Sequence, residues 1–243
     1  MNNRLLIKNA RAIVTCDPED RVHYDCDLLI EGPEILQIEK NIQADAGKTL
    51  DARGKFVYPG LVNTHHHFFQ TFIRNLQVID FPNMTVLEWL DEIYEIFKQL
   101  NADLVYYSSL VAMADLLKHG ATTVFDHHYV FPGSAETELI DRQMEAASQL
   151  GIRFHAGRGT NTLPKQEGST VPAEMVETTE EFLQDCERLI QTYHDSDPFS
   201  MRQVVIAPCQ PINCYQETFV ESANLARKYG VFLHTHLGEG ENP

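Results

Sequence analysis

Hydrophobic and polar positions change rhythm near Lys55. Upstream, short apolar stretches at 4–10, 12–16, 27–30, 35–38 and 49–52 alternate with turn signals such as Asp17-Pro18 and Glu31-Gly32-Pro33, which predicts a small antiparallel β unit. Downstream, apolar runs at 56–64, 122–126, 153–156, 204–207 and 231–234 read as five buried strands. Helical patterns lie between them. In 101–118, Leu104, Tyr107, Val111 and Ala114 share a stripe and His119-Gly120 follows, while 134–150 and 216–229 each end on a glycine, Gly151 and Gly230. Strands alternating with helices predict βα units around a parallel sheet. The polar segment 164–176 reads as a long loop, and Val86, Leu87, Trp89, Leu90 and Ile93 read as a helix over the mouth of the sheet or, more simply, as ordinary core.

Composition narrows the class. The 243 residues are 43% hydrophobic, and no apolar run is long enough to cross a bilayer. Arg4 and Lys8 interrupt the first apolar stretch and no small-residue cleavage pattern follows, so the start does not read as a signal peptide and a cytoplasmic location is expected. Cys16, Cys26, Cys186, Cys209 and Cys214 are odd in number and contain no CxxC pair, which argues against a disulfide framework and a cysteine zinc site. A formal net charge of −16 disfavours nucleic acid and anionic membranes as partners. A small-molecule substrate and a homo-oligomeric assembly are expected instead.

The chemistry concentrates at strand ends. In Asn63-Thr64-His65-His66-His67, alternation along a strand turns His65 and His67 the same way and His66 the other. Two imidazoles so placed chelate a divalent ion such as zinc; the rival reading is a surface loop. His234-Thr235-His236-Leu237-Gly238-Glu239 ends the last apolar run and offers His236 as a further ligand and Glu239 as a carboxylate to move a proton. HxxE alone is weak, and it gains weight beside HxH on an earlier parallel strand. Asp126-His127-His128-Tyr129 ends the second βα strand, where one member faces a pocket or each histidine is a satisfied structural residue; the same choice applies to His155. Cys209 reads as a small buried hydrophobe, since no base is paired with it.

The run from Leu50-Asp51-Ala52 through Pro59-Gly60-Leu61-Val62-Asn63-Thr64-His65-His66-His67, with His234 to Glu239, resembles the amidohydrolase superfamily along the whole chain. The segments 120–132, 151–156 and Ala207-Pro208-Cys209 are similar to the branch with 8-oxoguanine deaminases, isoxanthopterin deaminases and triazine hydrolases. The resemblance implies one metal held by His65, His67 and His236, zinc with iron as the alternative, and Glu239 as proton shuttle. A carbamylated lysine for a second metal has no counterpart in Val204-Val205-Ile206-Ala207, and the family's sixth-strand histidine and eighth-strand aspartate have none within these residues. Gln70, in HxHxxQ, is similar to the glutamine that reads the purine edge in guanine deaminases, or is an exposed loop residue. Tyr129 is a second candidate substrate contact, and Arg74 reads as a surface cation.

The expected fold is an α/β protein, a (β/α)₈ TIM-type barrel cut short after about five strands (57–243), with 1–56 supplying the N-terminal strands of a small β-sandwich. A complete barrel takes about 250 residues. The expected activity is hydrolytic deamination of an oxidised purine or pterin in nucleobase or pterin metabolism: a metal-activated water attacks the ring carbon and Glu239 protonates the departing ammonia. A triazine chloro- or alkylamino-hydrolase using the same site is the alternative, and a non-catalytic barrel scaffold is the alternative of another class.

Overall fold

A computed structural model describes residues 2–76, 83–133 and 138–238, with the backbone alone for Leu87. The chain divides into two compact units, 1–60 and 61–243.

The first unit is a mixed sheet in the order β3-β2-β1-β4, with β5 also on β1, formed by β1 (Arg4–Val14), β2 (Val22–Glu31), β3 (Glu34–Glu39), β4 (Lys48–Asp51) and β5 (Phe56–Val57). The expected antiparallel arrangement holds for β1 with β2 and for β2 with β3, but β4 and β5 run parallel to β1. The cause is the connection after β3. Residues 40–47 cross over instead of turning back, and the buried Asp27 carboxylate anchors them by accepting a hydrogen bond from the Ile42 N–H at 3.0 Å. The apolar stretch 4–10 and residues 12–14 of the stretch 12–16 belong to one strand, β1, whose register slips between Ile7 and Ala10. There Asn9 takes a left-handed conformation (φ 62°), and its N–H reaches the same Asp27 carboxylate at 2.7 Å.

The second unit contains a four-stranded parallel sheet, β6-β7-β8-β9: β6 (Leu61–Asn63), β7 (Ala121–His128), β8 (Arg153–Thr160) and β9 (Arg202–Pro208). The run 56–64 is therefore divided, its first part pairing with β1 and its last part with β7. The run 231–234 makes a single parallel bridge, Leu233 to Ile206, and does not form a named strand. It nevertheless follows β9 closely: the Ile206 and His234 N–H groups donate to the Phe232 and Ile206 carbonyls at 3.0 and 2.9 Å.

Helix α1 (Val86–Phe97) packs through Leu90, Ile93, Tyr94 and Phe97 into an apolar cluster with Phe69, Tyr129 and Val130, and helices α2 (Ala102–Lys118), α3 (Leu139–Leu150), α4 (Thr179–Tyr193) and α5 (Gln216–Tyr229) flank this sheet. The helix expected over 134–150 is described only from Leu139. Thr85 with Glu88 and Thr178 with Glu181 form reciprocal caps that fix where α1 and α4 begin. On α2 the expected stripe is the exposed one, with Leu104, Tyr107 and Val111 38%, 56% and 43% exposed. Val105, Ala112 and Met113 are buried beside Ser108 and Ser109. Both serine hydroxyls donate to the Val105 carbonyl within the helix, so small polar residues enter the core already satisfied. Residues 164–176 form a packed loop with two short 3₁₀ turns and completely buried Val171 and Met175. Ion pairs Lys165–Asp91 (2.5 Å) and Lys98–Glu174 (2.6 Å) tie it to α1 and to the residue after α1.

Two glycines let β8 approach β7. A Cβ at Gly157 would stand 2.6 Å from the Asp126 carbonyl oxygen and 2.8 Å from the Phe125 ring, and one at Gly159 would stand 2.6 Å from the His128 carbonyl oxygen. These are the residues that lead into the strand-end cluster. Gly157→Ala is expected to destabilise the fold by about 1–3 kcal/mol, the usual cost of overpacking, seen as a lower urea midpoint at unchanged slope. An unchanged midpoint would show that the strands have room to separate.

Candidate metal centre

Each parallel strand delivers its side chains to the same end of the sheet. β6 runs into His65-His66-His67, β7 ends in Asp126-His127-His128-Tyr129, β9 is followed by Cys209 and Gln210, and the segment bridged to β9 carries His236. The Nε2 atoms of His65, His67 and His236 converge there, with separations of 3.2 Å (His65–His67), 3.3 Å (His65–His236) and 3.3 Å (His67–His236). His66 faces elsewhere, its ring against Phe68 and its carbonyl accepting from the His127 N–H at 2.8 Å.

Two of the three rings are aimed by main-chain carbonyls. His67 Nδ1 lies 2.6 Å from the His127 carbonyl and His236 Nδ1 lies 2.9 Å from the Cys209 carbonyl. A carbonyl only accepts, so each Nδ1 carries the proton and each Nε2 presents a lone pair to the centre. Burial holds the His67 ring down to about 3 and the His65 ring down to about 4, so both are neutral at pH 7. Lone pairs facing one another repel unless a cation lies among them. Three nitrogens at about 2.0–2.1 Å from a tetrahedral ion stand about 3.3–3.4 Å apart, which matches the observed triangle. The donor set therefore fits zinc or a similar ion.

His127 is completely buried, stacked on His236 with ring centroids 4.5 Å apart, and its Nε2 meets the Ala207 carbonyl at 2.8 Å. It backs the third imidazole without joining the cluster. His128 is equally buried, with Nε2 against the Val130 carbonyl at 2.9 Å. Asp126 holds the turn that carries the first two imidazoles: its carboxylate accepts from the Phe68 N–H at 2.6 Å and from Gln143 Nε2 at 2.7 Å. Burial pushes that carboxyl up to about 8, against the opposing pull of these two hydrogen bonds.

A cavity of about 120 Å³ opens beside the cluster, lined in part by His67, Gln70, Trp89, Tyr129, Gln210 and His236. Gln70 and Tyr129 meet in it, with Gln70 Nε2 donating to the Tyr129 hydroxyl at 3.1 Å and the Tyr129 ring edge-on to His67 at 5.0 Å. Arg74 is exposed and does not line this cavity. Glu239 lies outside the described residues. Sequence reasoning left Trp89 with the ordinary core and missed Gln210. Trp89 was hard to distinguish because α1 has one continuous apolar face, and Gln210 carried no local signal because its burial is set by tertiary packing.

Parallel strands that gather imidazoles at their C-terminal ends are the arrangement expected of a barrel-type scaffold, with a candidate chelating site at that end. The chain belongs to the amidohydrolase family, which residues 56–242 match. It is 48% identical to hydroxydechloroatrazine ethylaminohydrolase of Pseudomonas sp. (strain ADP), over 95% of this chain and 50% of that protein. It is 36% identical to 8-oxoguanine deaminase of Pseudomonas aeruginosa, over 98% of this chain and 52% of that one. The zinc complex of an atrazine chlorohydrolase from Arthrobacter aurescens superposes with a TM-score of 0.89 at 33% identity, covering 96% of this chain and 52% of that one. The chain thus spans about half the length of the relatives it matches.

A carboxyl with a pKa near 8 in the native state and about 4 when unfolded binds its extra proton only when folded. Its contribution to stability therefore falls as pH rises through that window. Asp126→Asn, which cannot ionise, is expected to keep the fold and to lose this part of the pH dependence, seen as a flatter plot of melting temperature between pH 5 and 8. Parallel plots for variant and wild type would show that Asp126 is ionised in the native protein throughout.

Proposed function

We propose that the protein is a metal-dependent hydrolase that removes an amino group from a nitrogen heterocycle, with His65, His67 and His236 holding one divalent ion, zinc first and iron second. The convergence of the three Nε2 atoms carries this reading. When bound, the ion supplies the Lewis acidity that makes water a nucleophile at neutral pH. Glu239, three residues beyond His236, is assigned the proton traffic: its carboxylate takes a proton from water and returns one to the departing amine. The ring carbon loses ammonia and gains a lactam oxygen, so atoms balance as heterocycle plus water to lactam plus ammonia. Gln70 is assigned the lactam edge, held in place by Tyr129.

An oxidised purine or pterin is the first substrate class, supported by the hydrogen-bonding pocket wall and by the likeness to 8-oxoguanine deaminase. Loss of an alkylamino group from a triazine is the second, favoured by the 48% identity to an ethylaminohydrolase. We further assign 57–243 to the first part of a (β/α)₈ barrel and 1–56 to the N-terminal strands of a β-sandwich. Support comes from the parallel order of β6 to β9 and from the half-length match to relatives.

The full-length enzyme is expected to bind about one zinc or similar ion per subunit, measured by elemental analysis; two tightly held ions per subunit would refute the single-site assignment. Glu239→Gln is expected to keep that metal and to lower kcat at least roughly a hundredfold, whereas turnover at the wild-type rate would move the proton shuttle elsewhere. Gln70→Ala is expected to cost about 1–3 kcal/mol in kcat/KM on the best oxopurine or pterin without changing metal content. An indifferent Gln70→Ala, or preference for chloro- or alkylaminotriazines in a substrate panel, would favour the second class.

A further inference from the structure

We infer that Gln210 is a second substrate-reading amide, facing the same cavity as Gln70, and that it selects heterocycles carrying hydrogen-bonding groups on two edges. This rests on the hydrolase reading above. Gln210 is only 3% exposed and lines the cavity beside the imidazole cluster. The Gln70 amide nitrogen is committed to Tyr129. An amide that opens onto a cavity wall offers two donors and a carbonyl acceptor, which match the adjacent N–H and C=O of a lactam.

The position is rigid as well as polar. The Gln210 carbonyl accepts from the Asn213 N–H at 3.0 Å, and the preceding Cys209 N–H donates to the Thr160 carbonyl at 3.0 Å. The Cys209 carbonyl also receives His236 Nδ1 at 2.9 Å, so the amide is anchored one residue from the contact that aims a candidate ligand. An unsatisfied donor lies on the same wall: the buried Trp89 indole N–H has no acceptor among the described residues. A bicyclic oxo-heterocycle offers polar edges to Gln70 and Gln210 at once. A triazine with N-alkyl groups places carbon against one of them and leaves that amide unsatisfied, an arrangement that buried polar groups reject strongly.

The test uses the zinc-loaded full-length enzyme, wild type and Gln210→Leu, with 8-oxoguanine, isoxanthopterin and an ethylamino-hydroxytriazine as substrates. Binding of urate, the trioxopurine that deamination of 8-oxoguanine yields, is measured by calorimetry. Gln210→Leu is expected to lower kcat/KM on the oxo-heterocycles and to weaken urate by about tenfold to a hundredfold, with a smaller loss on the triazine and unchanged zinc content. Gln210→Met serves if the leucine variant misfolds. Equal losses on all substrates, or undiminished urate binding, would overturn the role of Gln210 while leaving the hydrolase reading intact. A wild type that neither turns over a heterocycle nor binds urate would overturn both.

Discussion

Three imidazole lone pairs held within 3.3 Å of one another set the terms for the rest of the second unit. Bare, the arrangement is repulsive, so the surrounding structure must force it. The parallel register does so by ending β6, β7 and β9 at a common level, and the sequence places a histidine, a main-chain carbonyl or an aspartate at each end. Neutral rings are a requirement of the same geometry. Burial supplies them by disfavouring the imidazolium form of His65 and His67.

The polar groups beneath the cluster show how expensive that preorganisation is. Asp126, His127 and His128 are completely buried in sequence, on a strand whose other inward neighbours are apolar. Each is tolerated because it meets at least one main-chain or amide partner: Phe68 and Gln143 for Asp126, Ala207 for His127, and Val130 for His128. Close approach of β8, which the glycines at 157 and 159 permit, keeps this layer dry. Dryness strengthens every remaining electrostatic contact at the mouth of the sheet.

Much of this was legible in the residues. Alternation within His65-His66-His67 placed the first and third rings together, and breakers around short apolar runs located β7, β8 and β9 to within a few residues. The alternation argument works because side-chain period in a strand is fixed by the backbone. The misread features depended on tertiary context. The α2 stripe of Leu104, Tyr107 and Val111 was periodic and apolar, yet Ser108 and Ser109 went inward because a helix can satisfy its own hydroxyls. Parallel pairing of β4 was invisible locally, since it depends on the Asp27 anchor contacting residues distant in sequence. Gln210 belongs to this group: its burial at the cavity wall is a tertiary property that no one-dimensional pattern records.

The contacts that aim His67 and His236 come from the carbonyls of His127 and Cys209. Every amino acid has a carbonyl, so point substitution at either position changes the packing of a ring or a thiol while the acceptor itself persists. The cavity wall, by contrast, is written in side chains on α1 and in the loop after β9. Orientation of the imidazoles and lining of the cavity are thereby encoded in separate materials. Such a division lets mutation of the wall change what the cavity admits without passing through forms in which the imidazoles lose their aim.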